Sequence, residues 1–270
     1  MRSTVTRKER LSVISAMLVE NPSKLYSLSY FSDMFGSAKS TLSEDVSIIR
    51  ESFLKRGLGE IEVLMGAGGG VRYMPWLDEA LKREVLEEIS VKLENPSRIL
   101  PGGYIYTADI FYTPAYVDKL ARMLWGEFHR ANPDFIITAE AKGIPLAMAV
   151  ARLFDRPLVV ARRENKMTEG SVVTINYMSG SSRRIQTMSL AKRAVKEGQR
   201  TLIIDDFIAG GGTVRAIFEM MKEFSITVTG CGAAISTKTP EKKRIENYKS
   251  LMVLEEINEE LQKIHVTPVL

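Results

Sequence analysis

Leu202-Ile203-Ile204-Asp205-Asp206-Phe207-Ile208-Ala209-Gly210-Gly211-Gly212-Thr213 is the stretch from which the rest of the chain is read. The apolar run from Thr201 to Ile204 predicts a buried strand. It delivers two adjacent carboxylates, Asp205 and Asp206. Phe207 and Ala209 lead into three glycines and Thr213, and a helical pattern follows from Val214 to Phe224. Glycines let backbone N–H groups come close to phosphate oxygens, and the new helix adds its positive end. The paired carboxylates suit vicinal ribose hydroxyls. Together these parts make a cradle for a ribose 5-phosphate. A βα turn that merely needs glycines is the plainer reading. Strand, double acid, Gly-Gly-Gly-Thr and helix in that order are more specific than a lone glycine pair.

Around this stretch, residues 100–270 read as strands alternating with helices. A helix is predicted over Pro114–His129 and a short strand over Phe135–Thr138. Glu140-Ala141-Lys142-Gly143 forms a turn before a helix opened by Pro145. Another strand is expected at Leu158–Ala161. Ser171–Asn176 and Ile185–Leu190 read as a hairpin around Ser179-Gly180-Ser181-Ser182, and a further strand covers Val228–Ile235. Such alternation predicts an α/β class with a mainly parallel sheet and helices on both faces. Ligands of such sheets bind beyond the carboxyl ends of strands. Arg162-Arg163-Glu164-Asn165-Lys166 is either a solvated charge run or a ligand-facing loop. Tyr104 and Phe207 either belong to the core or offer faces to a base.

Residues 1–74 have a different texture. Thr6 and Glu9 form a capping box that opens a first helix, stopped by Asn21-Pro22. A second helix covers Leu28–Phe35 and ends at Gly36. A third begins near Ala38, with Thr41 and Glu44 as a capping pair and Leu42, Val46, Ile49 and Phe53 as its inward stripe. Its other face carries Lys39, Ser40, Ser43, Ser47 and Arg50. Ile61–Met65, a glycine-rich tip and Val71–Met74 then read as a hairpin. Helix, helix, turn, helix and hairpin is the order of a winged helix-turn-helix module. Ser37, Ala38, Lys39, Ser40, Thr41 and Ser43 offer short donors and a cation to phosphates and base edges. Gly68, Gly69 and Arg72 suit a wing along a DNA groove, and Arg7 and Lys8 add a basic end. The local charge is modest, ten Arg and Lys against eight Asp and Glu, so a solvated polar face is the alternative. The expected division is 1–74 for DNA binding and 75–270 for the larger domain, with a connecting helix over Glu79–Leu93.

Composition sets limits. With 270 residues, 45% of them hydrophobic, the chain is long enough for one large domain and one small one. A net charge of +4 permits an acidic partner without requiring one. The single Cys231 sits in an apolar run, which argues against a disulfide framework and for a core thiol. His129 and His265 stand far apart, so neither a zinc site nor a histidine-based triad is expected. His129 ends a helical pattern and reads as solvated. No apolar run follows Met1, and none is long enough to span a bilayer. The expected location is the cytoplasm.

The Asp205–Thr213 stretch resembles the phosphoribosyl pyrophosphate (PRPP) motif of the type I phosphoribosyltransferases. Over nearly its full length the chain resembles the purine operon regulators of Gram-positive bacteria, which join a winged helix to a phosphoribosyltransferase-like domain. The matching segments are Ser37–Asp45, Leu100-Pro101-Gly102-Gly103-Tyr104, Lys142-Gly143-Ile144, Asn165–Ser171, Tyr177–Arg183 and Asp205-Asp206-Phe207.

The resemblance implies a homodimer that binds paired half-sites of double-stranded operator DNA near purine genes, as a repressor or, in some members, an activator. It implies PRPP, with or without Mg2+, as an effector that is not consumed, and guanine nucleotides as competitors. It assigns the ribose to Asp205 and Asp206, and the 5′-phosphate to Ala209, Gly210, Gly211, Gly212 and Thr213. The diphosphate falls to Lys142, Gly143 and a mobile loop with Arg163 and Lys166. Two departures stand out. Ala209-Gly210 replaces the Ala-Thr or Asp-Thr of the transferases, removing one hydroxyl contact. Glu140 places a carboxylate in the diphosphate loop, where it must face away or meet a metal. An active purine phosphoribosyltransferase is the rival reading, and a pure dimerisation scaffold the third.

Overall fold

The computed structural model describes residues 5–66, 68–163, 170–178 and 185–270. The chain divides into two compact units: Met1–Asp78 with Arg152–Asp155, and Glu79–Ala151 with Arg156–Leu270.

The first unit has three helices and a hairpin: α1 (Arg7–Glu20), α2 (Leu28–Phe35), α3 (Lys39–Lys55), β1 (Glu60–Leu64) and β2 (Gly70–Met74). Thr6 Oγ1 accepts the Glu9 N–H at 3.3 Å and caps α1. Gly36, at φ 64°, ends α2 in the left-handed conformation that glycine adopts without a steric cost. The third helix corrects the sequence reading. Its N-cap is Ala38, with no side-chain cap bond, and Thr41 already lies within the first turn. The Thr41–Glu44 pair therefore sits too far along to cap it. Leu42, Val46, Ile49 and Phe53 turn inward as expected and join Ile14, Leu18, Phe31, Ile61 and Val71 in one core. The hairpin is antiparallel, with Glu60 opposite Met74 and Leu64 opposite Gly70.

A buried charge cluster ties α1 to α3. Asp45 is wholly buried. Its two oxygens accept from Arg7 Nε at 3.0 Å and Arg10 Nε at 2.7 Å. Arg10 also donates to the Val5 carbonyl at 3.1 Å.

The second unit opens with α4 (Glu79–Leu93), the short strands β3 (Ile99–Leu100) and β4 (Tyr104–Ile105), α5 (Ala108–Phe111) and α6 (Pro114–Phe128). It continues with β5 (Phe135–Ala139), α7 (Ile144–Phe154), β6 (Leu158–Ala161), β7 (Val172–Met178), β8 (Ile185–Ala191), β9 (Arg200–Ile208), α8 (Gly212–Glu223), β10 (Thr227–Thr237), β11 (Lys249–Asn258) and β12 (Lys263–Pro268). Six strands form the main sheet in the order β12-β11-β10-β9-β5-β6, parallel except for β12. The two faces of β10 separate by parity. Phe128 and Leu124 of α6 lie over Gly232, whereas Cys231 and Ala233 join Val214, Ile217 and Met221 of α8 in the opposite core. Cys231 is buried, as its apolar context predicted. His129 is only partly buried but is not merely solvated, because its Nδ1 lies 2.8 Å from the Gly126 carbonyl. β7 and β8 pair as the expected hairpin, with Val172 opposite Ala191; the Ser179–Ser182 tip lies outside the described residues. Among the described residues no helix is long and apolar enough to cross a membrane.

Candidate functional site

The sheet order places a switch point between β5 and β9, because the chain leaves β5 toward β6 on one side and β9 docks on the other. A crevice at the carboxyl ends of these strands follows from that topology. A cleft of about 910 Å3 opens there, within the range of small-molecule sites. Its walls include Tyr104, Lys142, Arg163, Asp205, Asp206, Phe207 and every residue from Ala209 to Thr213. Lys166 lies outside the described residues.

The strand that supplies the acids is longer than the sequence suggested. β9 runs to Ile208, so Asp205 and Asp206 are held in the sheet, with Asp205 in register with Ala233. The turn is correspondingly tight, and α8 begins at Gly212 rather than Val214. Gly211 is its N-cap at φ 75°, and a Cβ there would lie 2.9 Å from Ile245 Cγ1. Glycine is thus required twice over, by conformation and by space. No side chain caps α8, so its first N–H groups are open to a ligand.

Gly143 does not line the cleft. It is buried behind the acids: a Cβ would come within 2.6 Å of both Asp205 Oδ1 and Thr138 Oγ1. Its role here is close packing of α7 on β9. The Thr138 hydroxyl is buried and has no hydrogen-bond partner among the described residues. Asp205 Oδ1 accepts the Asp206 N–H at 3.0 Å. Burial, and then the neighbouring charge of Asp206, push the Asp205 carboxyl well above its ordinary range. Burial also raises Asp206, opposed in part by Lys142. Arg163 favours the ionised form of Asp205. The pair resists carrying two charges, which a cationic or hydroxyl-rich ligand would relieve.

The Glu140 carboxylate turns to Arg162, with Oε1 3.1 Å from Nη1. Its charge is met by this guanidinium, which resolves the conflict expected in a diphosphate loop. The Glu140–Ala141 peptide is cis. Lys142 is exposed and has no ion pair among the described residues.

Sequence reasoning missed Lys243. Its Nζ donates to Thr237 Oγ1 and the Pro240 carbonyl, both at 3.2 Å, beside the cleft wall formed by Thr237, Thr239 and Pro240. Burial lowers its pKa. The next residue, Arg244, donates its backbone N–H to the Gly210 carbonyl at 3.0 Å. The run Lys242-Lys243-Arg244 was the available signal. An apolar wall from Ile105, Leu254 and Ile257 also went unread, because it comes from β4 and β11.

In the first unit, Ala38, Lys39, Ser40 and Ser43 are exposed at the start of α3, with Ser37 and Thr41 half-buried. Lys8 is exposed. Arg7 and Arg72 are less free than the sequence implied. Arg7 is bound to Asp45 and lies 3.6 Å from Glu44, and Arg72 is paired with Glu62 across the hairpin. Gly68 is exposed and Gly69 half-buried at the tip.

Residues 6–75 match the family described as bacterial purine repressor, N-terminal, and residues 107–268 match the phosphoribosyl transferase domain. The purine biosynthesis transcriptional repressor PurR of Bacillus subtilis is 41% identical over 96% of this chain and 91% of its own length. The chain belongs to the bacterial purine repressor family. Within that family, the purine biosynthesis transcriptional activator PurR of Lactococcus lactis is 37% identical over 93% of each chain. Adenine phosphoribosyltransferase from Thermoanaerobacter pseudethanolicus shares the fold of the larger domain, with a TM-score of 0.54 at 20% identity, covering 62% of this chain and 98% of that one. Family membership and fold thus agree with the resemblance drawn from Ser37–Asp45 and Asp205–Thr213.

Proposed function

We propose that this chain is a DNA-binding transcriptional regulator of purine biosynthesis genes whose phosphoribosyltransferase-like domain senses PRPP without consuming it. The observation that carries this reading is the combination, in one chain, of a purine repressor N-terminal domain with a cleft that keeps twin acids, an uncapped helix N-terminus and basic walls. Asp205 and Asp206 receive the ribose hydroxyls. The N–H groups around Ala209–Thr213 receive the 5′-phosphate, and Lys142 with Arg163 and Lys166 meets the diphosphate. Among the described residues no group of three metal-ligating side chains is assembled. A Mg2+ accompanying the diphosphate would take most of its oxygen ligands from the effector and water.

The protein acts as a homodimer on paired operator half-sites, in the cytoplasm, with the 1–74 segment as the DNA-binding part. Occupancy of the cleft alters DNA affinity only through different affinities of the effector for the DNA-competent and DNA-incompetent states. Competition between the bound anion and DNA phosphate for one basic surface is the simpler alternative. Guanine nucleotides compete for the same cleft.

The intact acid pair in a transferase fold favours a second reading, catalysis on a purine base. Ala209 stands where some purine transferases carry an aspartate, and the described residues of the cleft walls include no histidine. A winged helix serves no purpose in such an enzyme. A mobility shift on operator DNA tests the choice. Added PRPP should change the complex, and Asp205→Ala should abolish the change while DNA binding stays intact. An alanine variant that still responds to PRPP would overturn the site. Robust nucleotide formation from radiolabelled purine bases would establish the enzyme.

A further inference from the structure

The hairpin of the first unit ends in apolar side chains that its own core leaves uncovered. Val63 and Leu64 are each more than a third exposed, and Met65 has 90% of its surface in solvent. Leu64 is the last paired residue of β1, opposite Gly70. The Gly69 N–H donates to the Gly66 carbonyl at 3.0 Å and closes the turn. From Val63 to Val71 there is no charged side chain and no side-chain hydrogen-bond donor. The one cation between Gly57 and Met74 is Arg72, which is paired with Glu62.

A single exposed methionine is ordinary. Three successive apolar residues, each exposed, lead into a glycine run at the end of a hairpin that carries no charge there, and exposed apolar surface of this kind marks a contact. β1 packs against α3, so the hairpin is contiguous with the helix whose Lys39, Ser40 and Ser43 face solvent. A cation-based wing would reach phosphates. This one has no free cation to offer.

We propose that Met65 enters the minor groove of the operator as an uncharged wedge and partly opens a base step. Apolar side chains inserted in this way unstack the step and kink the duplex. The neighbouring glycines let the sugar–phosphate walls approach the main chain. Pyrimidine–purine steps, which open most easily, are the preferred target. The inference rests on the reading of this unit as a DNA-binding module.

Because the wedge is uncharged, it has a signature that phosphate contacts lack. Counterion release ties the salt dependence of binding to the number of phosphates neutralised. The test uses the full chain and a labelled duplex selected by the wild-type protein from a random pool. Anisotropy is measured between about 50 and 200 mM salt, and end-to-end energy transfer reports the bend. Met65→Ala should bind about tenfold more weakly, with an unchanged salt slope and a smaller bend. Met65→Leu should restore both affinity and bend. Lys39→Ala should instead reduce the slope by about one phosphate contact. Wild-type binding and bending by Met65→Ala would overturn the wedge. So would a shift in oligomeric state caused by Met65→Ala without DNA, since a second copy would then cover the tip. No duplex selected by the wild type would mean that the DNA-binding reading itself has failed.

Discussion

Asp45 in the first unit and Asp205 in the second are both buried carboxylates, 0% and 6% exposed. Their surroundings differ in kind. Asp45 receives two guanidinium groups, from Arg7 and Arg10. Asp205 receives one backbone N–H, lies beside a second carboxylate, and has no ion pair among the described residues. Asp45 is satisfied by its own fold and holds α1 to α3. The Asp205–Asp206 pair is left short of positive charge at the end of a strand, facing a cleft. Burial of a charge does not mark function by itself; burial without compensation does.

Removing Asp45 should have the largest effect on folding. Asp45→Ala leaves two guanidinium groups without a buried partner, at a cost of about 3–5 kcal/mol. Calorimetric unfolding of the full chain should show a destabilised first unit and an unaltered second. A loss below about 1 kcal/mol would place Asp45 among ordinary surface pairs and erase the contrast.

Asp205→Asn should do the opposite. The folded-state pKa of Asp205 is raised, chiefly by burial, so the wild-type fold loses stability as pH climbs from about 4 through the raised value. The asparagine variant lacks this loss. At neutral pH it should therefore be the more stable of the two, with the higher melting temperature. The advantage should vanish below the ordinary carboxylate range. An equal or lower melting temperature at neutral pH would mean that the acids are already compensated. A stabilising substitution that removes binding is the trade expected of a functional site.

Lys243→Met should have the smallest effect. If the cleft holds PRPP as proposed, loss of this half-exposed ammonium beside the cleft wall should cost about 1 kcal/mol of anion binding, a factor of about five in PRPP affinity. The loss should shrink at high salt. An unchanged affinity at low salt would confine Lys243 to its bonds with Thr237 and Pro240.

Much of this contrast can be read in the chain itself. Strand, double acid and glycine run mark the cleft because each part has a local chemical reason. The inward stripe of α3 is visible because helical periodicity is local too. Asp45 falls between Leu42 and Val46 and looks like one more surface acid; its partners lie on another helix, 35 and 38 residues away. β11 and β12 escaped notice because Glu255, Glu256 and His265 interrupt the apolar alternation, and one of these charges is met across the sheet, where Lys238 lies 2.8 Å from Glu255. The two-residue strands β3 and β4 are too short to carry a period. Lys243 gained its place only when a loop from β10 folded against the Gly210 turn.

Calorimetric titration of PRPP into the full chain, alone and saturated with operator DNA, tests the coupling most directly. Linkage requires that PRPP and DNA change each other's affinity by one common factor. The expected result is tight binding to the free protein and a different affinity for the DNA complex, matched by the shift in DNA affinity under PRPP. The same PRPP affinity with and without DNA, or no binding at all, would contradict an effector read out through the winged helix.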